Sequence, residues 1–285
     1  MTSQPGDGQP PRPDDQPALW NGAGGRGWVG LQDLLDQMYQ PLEDLLVDAI
    51  RSETTRRVLD VGCGTGSTTV AVARRLGASG SSTGIDISEP MIAAARARSE
   101  RQGRSVTFIV GDAQTYPLER ASFDAVISRF GVMFFADSVA AFTNLRGAAT
   151  GGAMLRLIVW RSAAENPFMT TAERAAAPLL PDLPLRRPNE PGQFALADRD
   201  RVRRILADSG WSEIDIQPID VPCAMPESAL VRYLTELGPV GRTLEQATDE
   251  VRARVVAAIR PAFDPYVRGA EIRFDAACWT VGARA

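Results

Sequence analysis

The stretch VLDVGCGTG, residues 58–66, decides the fold class of this chain. It starts as a short apolar run, which is typical of a buried strand, and it ends in Gly62, Gly64 and Gly66. A predicted helix follows directly at residues 67–76. A strand, a glycine-rich turn and a helix in this order predict a nucleotide-binding unit, because glycines let the backbone approach the ligand closely.

An acidic residue follows at the distance that nucleotide binding requires. Asp86 lies 20 residues after Gly66, at the end of the next predicted strand, STGIDI. A carboxylate at this position can accept hydrogen bonds from both ribose hydroxyl groups. The glycines are spaced G-x-G-x-G, however, whereas a pyrophosphate-binding loop has G-x-G-x-x-G. The spacing therefore favours a ligand that joins adenosine to a short amino-acid tail over a dinucleotide.

A second glycine cluster, NGAGGRGWVG at residues 21–30, matches the dinucleotide spacing through Gly22, Gly24 and Gly27. It lacks the strand that should precede it, because the residues before it are a proline-rich segment and ALW. About twenty positions later the chain lies inside a predicted helix, at Asp48, instead of at a strand end. We therefore interpret this cluster as a flexible, glycine-rich lead-in to the first helix.

Strand-like and helix-like segments alternate through the next hundred residues, which predicts a parallel sheet with helices on both faces. Such sheets bind ligands at the carboxyl ends of their strands. Leucines at helical spacing around Pro41 predict either two amphipathic helices or one helix kinked at the proline. The predicted organisation is a disordered tail at 1–17 and a single domain at 18–285, with N-terminal helices at 18–55, a cofactor-binding core at 56–160 and substrate-cap insertions at 161–197 and 223–268.

The composition argues against several kinds of partner. The net charge is −4, so no general attraction to nucleic acid or to an anionic membrane surface is expected. The chain has no apolar run of membrane-spanning length and no basic region followed by an apolar stretch at its N-terminus, so we expect a cytoplasmic protein. Three widely separated cysteines predict neither a disulfide framework nor a metal site.

Three further motifs make the interpretation specific. VLDVGCGTG is followed, in this order, by GIDIS with Met91 behind it, by VGDAQTYPL and by FDAVISRFGVMFF. The set resembles class I S-adenosylmethionine-dependent methyltransferases. The resemblance extends from about Leu19 onward and is strongest over 58–160. The segments WNG, SRFGVMFFAD and ENPF resemble one bacterial branch of the family that acts on small molecules. The resemblance implies an α/β fold with a Rossmann-like, mostly parallel seven-stranded sheet, an antiparallel last strand, helices on both faces and helical cap insertions.

The resemblance also implies a role for each residue that matches the family's motifs. Asp60 and the three glycines of the loop would face the methionine part of the cofactor, S-adenosylmethionine, and Asp86 would bind its ribose. The other implied contacts are Ile87 and Met91 with the faces of the adenine ring, Asp112 and Ala113 with its amino edge, and Ser128 with the methionine tail. Met91 shares its helix face with Ala94 and Ala95, so ordinary packing explains it as well. Asp124 holds a structural position of the family and is left out of the site.

Histidine and lysine are absent from the whole chain, which removes two common choices for a general base. Methyl transfer is an in-line displacement at a reactive carbon, so the protein mainly has to align the reactants. We therefore expect an acceptor that is already nucleophilic: a carboxylate, an acidic phenol, an amine or an enolisable carbon, with oxygen favoured. Arg129 is the candidate for orienting an anionic or carbonyl oxygen of the acceptor. A salt bridge from Arg129 to a neighbouring acid is a comparable explanation.

Aromatic residues outside the core predict an apolar acceptor cavity. Its predicted wall consists of Trp20, Trp28, Tyr39, Trp160, Phe168, Met169, Phe194, Met225, Tyr233, Phe263 and Tyr266. We expect methyl transfer to a small, apolar or aromatic secondary metabolite, and a homodimer is possible. The alternatives are a methyltransferase-like protein that uses its cofactor without methyl transfer, for example as a cyclase, and a nicotinamide-dependent oxidoreductase, against which the glycine spacing argues.

Overall fold

The structure is a computed structural model that describes residues 16–51, 53–103, 106–187 and 189–285. Most of the predicted disordered tail lies outside these residues. Its last two residues, Gln16 and Pro17, begin the first helix instead of extending the tail. The Gln16 side chain is buried, and its Oε1 accepts a 3.1 Å hydrogen bond from the indole N–H of Trp20 one turn later. This local pair explains why the helix starts earlier than the composition suggests.

One sheet and its surrounding helices contain most of the described residues. The strands are β1 (Arg57–Val61), β2 (Ser81–Asp86), β3 (Thr107–Val110), β4 (Phe123–Arg129), β5 (Ala149–Trp160), β6 (Ser212–Pro226), β7 (Val267–Arg268) and β8 (Glu271–Arg284). The helices are α1 (Gln16–Asn21), α2 (Ala23–Gly30), α3 (Gln32–Asp48), α4 (Ser67–Leu76), α5 (Glu89–Arg101), α6 (Ser138–Ala148), α7 (Pro167–Ala176), α8 (Arg199–Asp208), α9 (Leu230–Glu236), α10 (Gly238–Leu244) and α11 (Asp249–Ile259). Short 3-10 turns join several of them.

The sheet has the strand order β3-β2-β1-β4-β5-β8-β6. The first five strands in this order are parallel, and β8 runs antiparallel to both β5 and β6. The predicted mostly parallel sheet with an antiparallel last strand is therefore confirmed. An eighth strand, the two-residue β7, adds to the predicted seven, because a tight turn at Gly269, with φ +65°, folds it back onto the start of β8.

The order of the strands creates the site. β1 lies between β2 and β4, so the chain winds outward in both directions from this point. In such sheets the loops after the central strands diverge and leave a crevice at the carboxyl edge. β1 is buried along Val58–Val61, and Val61 lies opposite Ile85 of β2. The buried apolar strands therefore present their following loops, and the acids within them, to one crevice.

The glycine cluster near the N-terminus is helical, which corrects the prediction of a flexible segment. Helix α2 contains Gly24, Gly25 and Gly27. A Cβ added to Gly27 would lie 2.3 Å from the carbonyl oxygen of Glu236, and one added to Gly25 would lie 2.9 Å from Oγ of Ser88. The glycines are therefore needed for close packing of this helix against its neighbours.

The N-terminal helices and the cap cover the crevice. Helix α3 runs continuously through Pro41, which decides between the two predicted alternatives in favour of a single helix. The cap contains α7 and α9 to α11, which pack against one another. Strand β6 extends to Pro226, so the predicted cap segment that starts at 223 begins as strand. No helix in the described ranges combines the length and apolar character that crossing a bilayer requires.

Candidate active site

The glycine loop after β1 forms the floor of the crevice. Gly62 has φ +65°, and its N–H donates a 2.8 Å hydrogen bond to the carbonyl oxygen of Ile85 on β2. A Cβ on Gly62 would lie 2.4 Å from Cα of Gly131, which follows β4. The two loops therefore touch through their backbones, and neither position tolerates a side chain without rearrangement.

Asp86 joins this loop to the end of β2. Its Oδ2 accepts a 2.8 Å hydrogen bond from the N–H of Gly64, and its Oδ1 accepts a 2.9 Å bond from the N–H of Ser88. Burial raises the pKa of Asp86, and the backbone donors of Ser88, Gly64 and Ile87 partly offset that effect. The carboxylate is thus held at a defined position on the cavity wall.

Asp60 is a second buried acid beside the cavity. Its Oδ2 accepts a 2.7 Å hydrogen bond from the hydroxyl of Thr69 on α4. Burial raises the pKa of Asp60 to about 7, while the bond from Thr69 and the charge of Arg129 lower it. With a pKa near neutrality, this carboxyl group would ionise when a cation binds beside it, because a nearby positive charge favours the ionised form.

Arg129 is engaged within the protein, as the salt-bridge alternative predicts. Its guanidinium lies 3.7 Å from the carboxylate of Glu43 and donates a 3.4 Å hydrogen bond to the carbonyl oxygen of Tyr39. Glu43 is buried on α3 and also accepts hydrogen bonds from the hydroxyls of Ser67 and Thr68. Arg129 nevertheless lines the cavity, so an orienting role toward the acceptor is compatible with this geometry.

Most of the predicted site residues meet in one cavity. The predicted residues that line it are Asp60, Gly62, Gly64, Asp86, Ile87, Met91, Asp112, Ala113 and Arg129. Asp112 also has the turn-forming role considered as its alternative, because its Oδ1 accepts a 2.9 Å hydrogen bond from the N–H of Gln114. Met91 is buried, and its Cε would lie 3.0 Å from a Cβ added to Gly64, so it packs against the glycine loop.

Two predicted residues do not line the cavity. The buried hydroxyl of Ser128 donates a 2.7 Å hydrogen bond to the carbonyl oxygen of Val61 and accepts one of 3.1 Å from the N–H of Gly131. It therefore ties the ends of β1 and β4 together. Gly66 precedes α4 with φ +80°, and a Cβ there would lie 2.8 Å from Cβ of Ala95. Both residues support the loops from behind.

The tryptophan and asparagine of WNG hold the N-terminal helices to the loop after β2. The carbonyl oxygen of Trp20 accepts a 2.6 Å hydrogen bond from the hydroxyl of Ser88. The amide of Asn21 donates to the carbonyl oxygen of Ile87 at 3.1 Å and accepts from the N–H of Glu89 at 2.9 Å. Sequence reasoning did not assign Asn21 a role, because its partners lie more than 60 residues away along the chain.

The cavity measures about 500 Å³ and extends from the glycine loop to the cap. Nine of the eleven predicted wall residues line it: Trp20, Trp28, Tyr39, Trp160, Phe168, Met169, Phe194, Tyr233 and Phe263. Met225 and Tyr266 do not. Phe130 and Trp160 stack at 4.6 Å between ring centroids, and Phe168 stacks on Phe274 at 3.9 Å. A cavity with this many aromatic side chains in its wall suits an apolar small molecule.

The residues on the floor suit adenosine joined to an amino-acid tail. Asp86 provides a fixed acceptor for a diol, and Asp60 provides a carboxyl group poised for a cation. Gly62 and Gly64 line the cavity without side chains, and a Cβ on Gly64 would lie 3.0 Å from Cε of Met91. S-adenosylmethionine carries a ribose diol and an ammonium group, so the donor set fits this cofactor.

Comparisons with known proteins agree with this geometry. Residues 58–152 match the family described as a methyltransferase domain. An aklanonic acid methyltransferase, DauC, of Streptomyces sp. strain C5 is 37% identical over 109 residues, which cover 38% of this chain and 50% of that protein. A demethylmenaquinone methyltransferase of Renibacterium salmoninarum is 27% identical over 184 residues, which cover 62% of this chain and 75% of that protein. The crystal structure of the [4+2]-cyclase SpnF has the same fold, with a TM-score of 0.56 and 18% identity over 91% of this chain and 94% of SpnF.

Residues 58–152 carry a methyltransferase domain. Together with the fold and the site, these similarities support a class I S-adenosylmethionine-dependent methyltransferase, whose cofactor is S-adenosylmethionine. Its similarity to the aklanonic acid methyltransferase spans half of that protein's length.

Proposed function

We propose that this protein transfers the methyl group of S-adenosylmethionine to an oxygen atom, a carboxylate or an acidic phenol, of a small aromatic metabolite. The observation that supports this proposal is the continuity of the cavity. Asp60 and Asp86 line the same cavity as aromatic residues such as Trp160 and Phe168. The similarity to an enzyme named for an acid, aklanonic acid, adds to this support.

Each part of the cavity has its own task in the reaction. Asp86 would bind the ribose hydroxyl groups, Asp60 would bind the ammonium group, and Met91 would pack on the adenine ring. When bound, the cofactor supplies an electrophilic methyl group on a sulfonium centre. The aromatic wall would exclude water and hold the acceptor in line, and alignment of this kind lowers a barrier by up to about 7–11 kcal/mol.

Three ionisable side chains of the cavity are poor general bases and Asp60 is assigned to the cofactor, which together favour an acceptor that ionises by itself. Burial raises the pKa of Tyr233 to about 12 and raises that of Tyr39 well above 10. Burial also raises the pKa of the Cys63 thiol. All three groups keep their protons at neutral pH and are poor bases. An acidic oxygen on the acceptor needs no such base, which agrees with the absence of histidine and lysine from the chain.

A product screen tests the proposal. Purified protein is incubated with S-adenosylmethionine labelled on its methyl group and with panels of aromatic acids, phenols and amines. We expect labelled products from the acids or phenols, and the same products formed with unlabelled cofactor should be 14 mass units heavier than their substrates. Conversion without a mass increase would instead favour the cyclase-like alternative, and labelling of amines alone would contradict oxygen as the acceptor atom.

The pH dependence of the rate adds a second criterion. If the acceptor supplies its own anion, the rate should follow the pKa of each acceptor across a series of substituted phenols. A profile that stays at one pKa for every phenol would mean that a protein group takes the proton.

A further inference from the structure

The cap side of the cavity contains an arginine without a counterion. The charged side chains that the cap contributes to the lining are Glu173, Arg186, Arg187, Glu190 and Arg242. Arg186 donates a 2.7 Å hydrogen bond from Nε to Glu173, and Arg187 lies 3.2 Å from Glu190. Within the described residues, the Arg242 side chain forms neither a hydrogen bond nor an ion pair. The cap wall therefore carries one positive charge that no direct contact neutralises.

The surroundings of Arg242 raise the free energy of its charged form. Its side chain is half-buried on α10, and burial together with the charge of Arg186 lowers the pKa of the guanidinium, while Glu173 partly offsets this effect. Both carboxylate oxygens of Glu173 already accept hydrogen bonds from Arg186, and the Arg186 guanidinium also lies 4.8 Å from the ring centroid of Phe194. An anion beside Arg242 would relieve this unfavourable arrangement, because a desolvated charge is stabilised by a hydrogen-bonded partner.

We propose that Arg242 determines acceptor specificity by binding an acidic group, a carboxylate or an acidic phenol, of the aromatic molecule in the cavity. The inference rests on the proposed function, because it names the residue that selects the acceptor of that reaction. The planar guanidinium matches an oxyanion with paired N–H donors. The aromatic residues Phe168 and Tyr233 line the same cavity and provide the apolar surface that the rest of the molecule needs.

A pair of fluorescent probes distinguishes the effect of ligand charge on affinity from the effect of ligand shape. 8-Anilinonaphthalene-1-sulfonate and N-phenyl-1-naphthylamine share one ring system, and only the first carries an anionic group. Wild-type protein should bind the anionic probe at least tenfold more tightly than the neutral probe. Arg242→Met should weaken the anionic probe at least tenfold and leave the neutral probe within twofold. Arg242→Lys keeps the charge and should retain most of the affinity for the anionic probe.

Arg232→Met is the matched control, because Arg232 lies on the neighbouring helix α9, is exposed and pairs with Glu236. This variant removes the same charge and should leave both affinities unchanged. Three results would overturn the proposal: equal affinity of wild-type protein for the two probes, an equal loss of both probes in Arg242→Met, or the same loss in Arg232→Met. Equal affinity of the wild-type protein for the two probes would overturn the proposal even if Arg242→Met does not fold, and Arg242→Gln, which also removes the charge, would then provide the comparison between variants.

The experiments can reject the proposed function and the proposed role of Arg242 independently of each other. Probe binding needs no methyl transfer, so a preference for the anionic probe without any labelled product would reject the proposed function and keep the anion site. Labelled product from neutral acceptors only, with no probe preference, would reject the role of Arg242 and keep the methyltransferase.

Discussion

The N–H of Gly64 donates a 2.8 Å hydrogen bond to Oδ2 of Asp86. This bond joins the glycine loop after β1 to the acid at the end of β2. The parallel register that places Val61 opposite Ile85 brings the two loops side by side. The two parts of the sequence that predict a nucleotide site therefore form one structural unit.

Asp86→Ala should weaken binding of S-adenosylhomocysteine about a hundredfold. Hydrogen bonds to a charged group contribute about 1.5–3 kcal/mol each, and the variant would lose the proposed pair with the ribose diol. Isothermal titration calorimetry measures the change. The control is Asp124→Asn, because the Asp124 carboxylate accepts hydrogen bonds from the N–H groups of Arg56 and Arg57 outside the cavity. The control should lose stability and keep its affinity; unchanged affinity in Asp86→Ala would contradict the site.

Cofactor affinity should rise with pH through the titration of Asp60. The carboxyl group has a raised pKa of about 7, so it is protonated below this pH and ionised above it. An ammonium group binds the ionised form, so affinity for S-adenosylhomocysteine should increase about tenfold from pH 6 to pH 8. Thr69, Arg129, Glu43 and Asp86 face this carboxyl group in the same network. Asp60→Asn should flatten the dependence; an equal slope in both proteins would assign it to another group.

Removing Arg129 alone should destabilise the protein. Arg129→Met leaves the buried carboxylate of Glu43 without its cation, and breaking a buried ion pair in this way costs about 3–5 kcal/mol. The double variant Arg129→Met/Glu43→Gln should recover most of the free energy of unfolding in denaturant titrations. Equal losses in the single and double variants would show that the pair is not the cause.

The same double variant tests whether Arg129 orients the acceptor. Because the ion pair is removed as a unit, affinity for S-adenosylhomocysteine should remain within about threefold, while kcat/KM for the acceptor should fall at least tenfold. Equal loss of cofactor affinity and of kcat/KM would assign Arg129 to the cofactor side.

Gly131→Ala should lower the free energy of unfolding by about 1–3 kcal/mol, the usual cost of overpacking. A Cβ at Gly131 would lie 2.5 Å from Cα of Gly62 and 2.5 Å from the carbonyl oxygen of Val61. Thermal and denaturant unfolding measure the effect. Gly151→Ala is the matched control, because no atom lies within 4 Å of a Cβ at that position. Similar stability of the two variants would contradict the close contact of the loops.

Some local predictions hold because they depend on neighbouring residues alone. The helix predicted at residues 67–76 is observed with the same bounds as α4, Ser67–Leu76. Asp124 has the structural role that its position indicates. The lead-in glycines were interpreted wrongly as flexible, because the surfaces that require small residues there belong to Ser88 and Glu236, which are distant in sequence.

The candidate site also contains residues that could be predicted from the sequence and residues whose role depends on the tertiary structure. Asp86 was predicted from its spacing relative to the glycines, and Asp60 from the resemblance to the family's motif. Ser128 matches the family's motif, yet its hydroxyl is committed to Val61 and Gly131, a fact that depends on how β1 and β4 approach each other. Arg242 has no motif at all, since its importance comes from burial and from a missing partner.

The sequence by itself determined the class of fold, the cofactor loop and the acid that follows it, because strand, turn and helix preferences and short-range spacing are properties of adjacent residues. Only the tertiary structure decided which charges are neutralised. Arg129 meets Glu43 from a strand and a helix far apart in the chain, whereas the Arg242 guanidinium forms no ion pair with an acid among the described residues. Coulomb energy and desolvation depend on distances between side chains and on burial, and both arise only when the chain is folded.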